Sequence, residues 1–192
     1  MSRTGVLLAF TEARYDGSDE GPHDLVCKRS LDNGTTWPSE VMIEKSDGSF
    51  WRSQNQPDKQ ESWSNPVALT DRSNGRVFIF YVLNEGEYKG HNTQRMTRIF
   101  YRYSDDEGLT WSDRVELTDV LNVGPDGKPH VDINGAPIRN ADGFACDYLD
   151  RAFHMPGPGH GIQLDNGRLL IQFWHRRAIG RVTADGTHIT TP

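Results

Sequence analysis

Ser30-Leu31-Asp32-Asn33-Gly34-Thr35-Thr36-Trp37 recurs in pattern at Ser104-Asp105-Asp106-Glu107-Gly108-Leu109-Thr110-Trp111. Both stretches read Ser-x-Asp-x-Gly-x-Thr-Trp, with five fixed positions at one spacing. A repeat of that kind names an architecture before any single residue names a chemistry. Each copy lies between strand-like segments, so each is expected to form a hairpin turn. The residue types suit that place. Ser and Asp side chains accept local backbone N–H groups, Gly supplies positive φ, and Trp covers the turn. Turn chemistry accounts for every fixed residue, so Asp32 and Asp106 are expected to stabilise the fold and not to catalyse.

Working outward, the flanking sequence is strand throughout. Val6–Phe10, Asp24–Arg29, Val41–Ile43, Val67–Leu69, Arg98–Tyr103 and Val115–Leu117 hold short apolar centres. Arg76–Leu83 is rich in β-branched and aromatic residues and reads as a strand buried on both faces. Asn74-Gly75 before it is a hairpin signal in which both residues accept positive φ. Further strands are expected at Gly161–Leu164 and Arg168–Trp174, with a last pair around Ala184-Asp185-Gly186. Residues 122–150, rich in Gly, Pro, Asn and Asp, read as a long surface excursion, and such loops more often carry function than not. No segment holds a sustained helical period. The expected class is all-β, with short antiparallel strands in four-stranded units.

Composition narrows the function. The 192 residues suffice for one domain with a real core. Nineteen glycines and ten prolines suit many strands joined by tight turns. A net charge of -6 with scattered basic residues disfavours nucleic-acid and anionic-membrane partners. Cys27 and Cys146 are the only cysteines, too few for a disulfide framework or metal knuckle, and are expected to be buried or free thiols. No apolar run approaches a membrane span. The chain opens directly into strand sequence with no export signal, which suggests a segment upstream.

The octapeptide is the Asp box, or BNR repeat, of β-propellers, whose radial blades resolve the edge problem by ring closure. Beyond it, three segments resemble the exo-α-sialidase (neuraminidase) family over most of the length: Leu7–Arg14 with the acidic loop and Asp24–Ser30; Ser64-Asn65-Pro66-Val67 with Gly75-Arg76-Val77-Phe78; and Gly157-Pro158-Gly159-His160-Gly161-Ile162-Gln163-Leu164 with Gly167–Leu170. The resemblance implies the first half of a six-bladed propeller, a single domain over 1–192 truncated at both ends. It also implies a retaining glycosidase that uses a tyrosine nucleophile in place of a carboxylate. A neutral tyrosine approaches an anomeric carbon beside a carboxylate without charge repulsion, and arginine forks match that carboxylate.

Carried over by position, Asp19 matches the acid/base aspartate, with Asp16 its near competitor and Asp24 on the following strand. Arg14 matches an arginine lining the sialic-acid pocket. Ser64 and Asn65 fall at the N-acetyl side, a pocket glutamate falls at Glu87 or Glu85, and Trp174 and Arg176 fall where the glycerol tail is met. His160 reads as structural or supporting. The nucleophile tyrosine, its glutamate and the clamp arginines have no match in the chain. The resemblance implies no metal or cofactor, sialylated glycans as partners and a secreted or periplasmic setting. Alone, the chain is expected to be inactive and to self-associate through unpaired edges. The alternative implied function is a non-catalytic sialoglycan-binding module.

Overall fold

The computed structural model describes residues 5–18, 21–85, 96–141, 143–157, 159–176, 181–182 and 188–189. Its strands, in order, are β1 (Leu7–Arg14), β2 (His23–Ser30), β3 (Ser39–Glu44), β4 (Trp63–Thr70), β5 (Val77–Glu85), β6 (Met96–Ser104), β7 (Val115–Glu116), β8 (Phe153–Pro156), β9 (Gly159–His160), β10 (Ile162–Gln163), β11 (Leu169–Leu170), β12 (Phe173–Arg176), β13 (Arg181–Val182) and β14 (His188–Ile189). Two short helices interrupt them, α1 (Ser49–Ser53) and α2 (Thr118–Leu121). The structure is all-β, an unclosed part of a propeller.

The expected four-stranded units are not what the described residues form. The first sheet has three strands, β1-β2-β3. The second has five, β7-β6-β5-β4-β9, because β9 joins β4 in parallel through Val67↔Gly159 and Ala68↔His160. The remaining strands are paired as β12-β8, β10-β11 and β13-β14.

The second sheet carries apolar side chains on both faces, as expected for its central strand. On one face, Ile79, Tyr81, Leu83, Trp63 and Phe100 join Leu25, Cys27 and Ile43 of the first sheet and Phe50 and Trp51 of α1. Phe50, Trp63 and Phe100 meet edge to face at 5.6–5.7 Å, an arrangement that adds to simple burial. On the other face, Val82 and Ile99 pack against Phe153 and Met155 of β8. An ionic tie crosses the first interface. Buried Glu44 accepts from Tyr81 Oη (2.5 Å) and pairs with Arg102 (2.8 Å) and Arg114 (3.0 Å). Burial, then the carboxylate, pushes the pKa of the Tyr81 hydroxyl up.

Both octapeptides connect antiparallel neighbours, β2 to β3 and β6 to β7. Their bonds match. Ser30 Oγ donates to Asp32 Oδ1 (2.7 Å) and accepts from Gly34 N (2.8 Å); Ser104 does the same with Asp106 (2.8 Å) and Gly108 (2.8 Å). Each Asp then accepts from the Thr backbone and hydroxyl: 2.9 and 2.7 Å for Thr36, 2.9 and 2.6 Å for Thr110. The glycines sit at φ +88° and +80°, in the left-handed region where a side chain is disfavoured. The tryptophans differ. Trp37 Nε1 donates to the Gly34 carbonyl (3.1 Å), whereas Trp111 packs edge-on against Phe10 (5.7 Å).

The hairpin before β5 forms, but with Gly75 alone of the pair at positive φ; the Asp71 main chain closes it by donating to Arg76 O (2.8 Å) and accepting from Gly75 N (2.7 Å). Residues 122–150 lie mostly at the surface, as expected, and are regular where described, that is, at all but residue 142. They form a ladder of tight turns with an eight-residue period, bridged at Val123↔Pro129, Val131↔Pro137 and Arg139↔Ala145. Successive turns are tied by His130 N to Asn122 O (2.8 Å), Ile138 N to His130 O (3.0 Å) and Cys146 N to Ile138 O (3.1 Å). Gly127, Gly135 and Gly143 recur at the same place in each turn, all at positive φ.

Candidate functional site

The octapeptides lie at one end of the first two sheets, and the candidate residues gather at the other. Along β2 alone, His23 and Ser30 are separated by seven residues, roughly 23 Å of strand at 3.3 Å per residue.

Glu12 organises this end. It and Arg14 stand two apart on β1 and so share a face. Arg14 Nε and Nη2 both donate to Glu12 Oε2, at 2.9 and 2.7 Å. The other oxygen, Oε1, accepts from the backbone N–H of Asn65 at 2.8 Å. One carboxylate therefore fixes an arginine from the first sheet and a backbone segment from the second.

Asn65 sits where the chain departs from regular strand. The β4–β5 register shifts between Ser64 and Val67, and Asn65 adopts φ +54°. Bulges re-aim side chains, and Asn tolerates the left-handed region better than most residues. The shift sends Asn65 Nδ2 toward the Pro156 carbonyl at the end of β8 (3.4 Å), so the third group of strands is tied in as well.

Ser64 is buried beside it. Its Oγ meets His23 Nδ1 (3.2 Å) and accepts from Asn84 Nδ2 (3.3 Å). His23 pairs with Ser62 in an isolated parallel bridge, and its N–H donates to Glu61 O (3.4 Å). The first and second sheets are thus stitched together at this end by main chain and side chain alike.

The β1–β2 loop closes over the same end. Tyr15 N donates to Pro22 O (3.2 Å), and Asp16 Oδ1 accepts from Ser18 N (3.0 Å). The Asp16 carboxylate occupies the place a Cβ on residue 21 would take, so glycine there keeps the hairpin tight. Asp16 is accordingly a turn residue. Asp24 accepts from Ser46 N (2.7 Å) and from Tyr15 Oη (2.9 Å), and that hydroxyl is held above its ordinary pKa chiefly by the bond to Asp24. Asp16, the near competitor of Asp19, and Asp24 on the following strand therefore both have structural work.

Of the positions singled out in sequence, Arg14, Ser64 and Asn65 are brought together. Asp19 and Glu87 lie outside the described residues, as do the side chains of Glu85 and Arg176. Trp174 is 43% exposed and packs on Phe153 at 5.3 Å, on a strand whose first residue, Phe173, pairs with Pro156. It is a surface aromatic and not a core one. His160 is exposed in the short parallel strand β9. Sequence reading missed the central part of Glu12 and missed His23 altogether. The i, i+2 spacing of Glu12 and Arg14 was the available signal for the first; the second had none. Among the described residues, no cluster of three or more His, Cys, Asp and Glu is placed to hold a metal, and no helix is long and apolar enough to cross a membrane.

Comparison with known proteins gives the family and supports the fold. The model of the BNR repeat-like domain matches residues 5–187, and the chain belongs to that family. Sialidase-3 of Bos taurus is 29% identical over 175 residues, covering 86% of this chain and 32% of its own length. A sialidase of Paraclostridium sordellii is 26% identical over 174 residues, 87% of this chain and 35% of its own. The chain thus spans about a third of the length of these curated relatives. Among solved structures, the Hadza microbial sialidase Hz136 superposes with a TM-score of 0.69 at 21% identity, covering 93% of this chain and 31% of that one. The intramolecular trans-sialidase from Ruminococcus gnavus gives 0.60 at 16% identity, over 90% and 54%. At these identities the two structures speak to the fold.

Proposed function

We propose that this BNR repeat-like chain is the acid/base half of a retaining exo-α-sialidase, a hydrolase of terminal sialic acid on glycoconjugates. The observation that carries the reading is the joining of Arg14 and Asn65 by Glu12, with Ser64 held beside them by His23, at the sheet end from which the loop bearing Asp19 departs. In this reading the sheets are blades of a six-bladed ring and the two octapeptides are its Asp-box hairpins.

The chemistry gives each residue a role. Asp19 protonates the leaving oxygen and then deprotonates the attacking water. Arg14, set by Glu12, lines the pocket of an anionic sugar; Ser64 and Asn65 meet its N-acetyl side, with Glu87 nearby; Trp174 and Arg176 meet the glycerol tail. The nucleophile tyrosine, its glutamate and the carboxylate clamp come from the rest of the ring. Proton transfer and covalent catalysis suffice, so the reading needs no metal or cofactor. Sialylated glycans outside the cytoplasm are the partners it implies, and fractionation of the producing cell checks the location.

The test is hydrolysis of α-sialosides by the gene product carrying this chain. Cleavage with retention is expected, and Asp19→Ala is expected to slow natural sialosides by about 10²–10⁴. An unchanged rate removes Asp19 from the acid/base role. One observation favours a second reading, a sialoglycan-binding module without turnover: the exposed face of Trp174 over Phe153 suits stacking on a sugar. That reading requires binding by the 192-residue chain itself, weakened by Arg14→Ala and indifferent to Asp19→Ala.

A further inference from the structure

His23 is fully buried at the head of β2, opposite Arg14. Its Nε2 lies 2.6 Å from the carbonyl oxygen of Ser18. A carbonyl only accepts, so Nε2 carries the hydrogen. In the neutral ring Nδ1 is then an acceptor. It faces Ser64 Oγ at 3.2 Å and Ser62 Oγ at 3.4 Å. Ser64 accepts from Asn84 Nδ2 and also meets Ser62 Oγ at 3.4 Å, so a hydroxyl hydrogen from this serine pair reaches the ring. Glu12 Oε2 stands at 3.8 Å from Nδ1, beyond hydrogen-bond reach. The series therefore runs from Asn84 through the Ser62–Ser64 pair to His23, and from His23 Nε2 to the Ser18 main chain.

We infer that His23 is a positioning residue, holding the Ser18 carbonyl, and with it the chain entering Asp19, in register with the Ser64–Asn65 bulge. The bonds from Tyr15 to Pro22 and from Ser18 to Asp16 close the loop on itself. His23 supplies a bond that refers the loop to a different sheet. The site needs this because a general acid acts only within hydrogen-bond reach of the oxygen it protonates, and a displacement of about 1 Å can cost about 10²-fold in rate. Imidazole fits the place because it donates from one edge and accepts at the other. Glutamine keeps a donor near the Nε2 position and offers no acceptor at the Nδ1 position.

The inference rests on the acid/base reading of the loop, but its first tests do not need activity. Imidazole ¹⁵N NMR on the unaltered chain is expected to show His23 with hydrogen on Nε2 alone; hydrogen on Nδ1 alone overturns the inference. In His23→Ala, amide exchange at Tyr15 and Ser18 is expected to rise at least about tenfold while amides of the β5–β6 ladder keep their rates, with partial recovery in His23→Gln. Unchanged exchange at Tyr15 and Ser18 also overturns it. If His23→Ala does not fold, the NMR measurement and His23→Gln still decide. In the active gene product, His23→Ala is expected to lower kcat about 10–100-fold on natural sialosides, with KM little moved. Aryl sialosides, whose leaving groups need no protonation, should be far less affected; equal loss on both substrates would overturn the positioning role. Absence of any hydrolysis would count against the sialidase reading while leaving the tautomer and exchange results to judge His23.

Discussion

The octapeptide turns and the Glu12 cluster are built from different kinds of bond. At the octapeptide end, the matched Ser–Asp–Gly–Thr bonds begin and finish within a few consecutive residues. At the Glu12 end, the decisive bonds join residues 41, 53 and 91 apart in sequence. A local turn can be repeated wherever two strands need joining, and its shape survives transfer. A constellation assembled from three groups of strands depends on all of them, and it can be tuned for one ligand. On the proposed function, the difference separates what builds this protein from what it does.

The largest expected effect is at Glu12. Glu12→Ala removes the acceptor of both Arg14 and the Asn65 amide, and should lower sialoside turnover or binding by about 10²-fold through misplacement. It should also cost about 1–3 kcal/mol for the amide left unpaired, read by denaturant titration. If activity holds while stability falls, the Glu12 end is structural and the contrast collapses. Ser104→Ala is the counterpart at the other end. The buried Ser104 Oγ bridges Asp106 and Gly108, so its loss should cost about 1 kcal/mol and lower Tm by about 2–4 °C for a chain this size. Ligand response should not change.

Acid should distinguish the turns further. Hydrogen bonds, first those from Thr36 and then that from Ser30, hold the pKa of the Asp32 carboxyl down at about 2. A depressed carboxyl contributes stability that is complete above its ordinary range and is lost as pH falls through the folded value. The Thr36 amide resonance should therefore hold its position as pH falls through the ordinary carboxylate range, and titrate with a midpoint at about 2. A midpoint at the unperturbed aspartate value, about 3.9, would mean the turn bonds are not formed in solution. The smallest effect expected is none at all. Cys27 lies midway along β2, and burial pushes its thiol up to about 12. Alkylation in mild base should pass it by in the folded chain and in His23→Ala, since opening the loop does not open the strand.

The same contrast explains what sequence could disclose. The octapeptides were legible because cause and effect lie side by side. The buried character of β5 was legible from its unbroken apolar run. Arg14, Ser64 and Asn65 were reached only by resemblance, and nothing in their neighbourhoods announces that one carboxylate joins Arg14 to Asn65. His23 reads as an unremarked residue between Pro22 and Asp24 until Ser18 and Ser64 are folded against it. The fifth strand of the second sheet escaped notice because β9 is two residues long and pairs across about ninety positions of chain. The ladder at 122–150 escaped because its period is eight, neither the alternation of a strand nor the turn of a helix, and is marked by glycines and not by apolar residues.

That ladder has an arithmetic of its own. Each turn is tied to the one before by the same bond at the same interval, and the run closes on its own start: Tyr148 N donates to Val123 O (3.0 Å), and His130 Nδ1 lies 2.9 Å from the Cys146 carbonyl oxygen. Deleting residues 131–138 would bring Arg139 to the place Val131 now holds and carry Tyr148 away from Val123, so the closing bond should be lost with the turn. The three turns thus brace one another as a unit, and no one of them can be removed without loosening the other two.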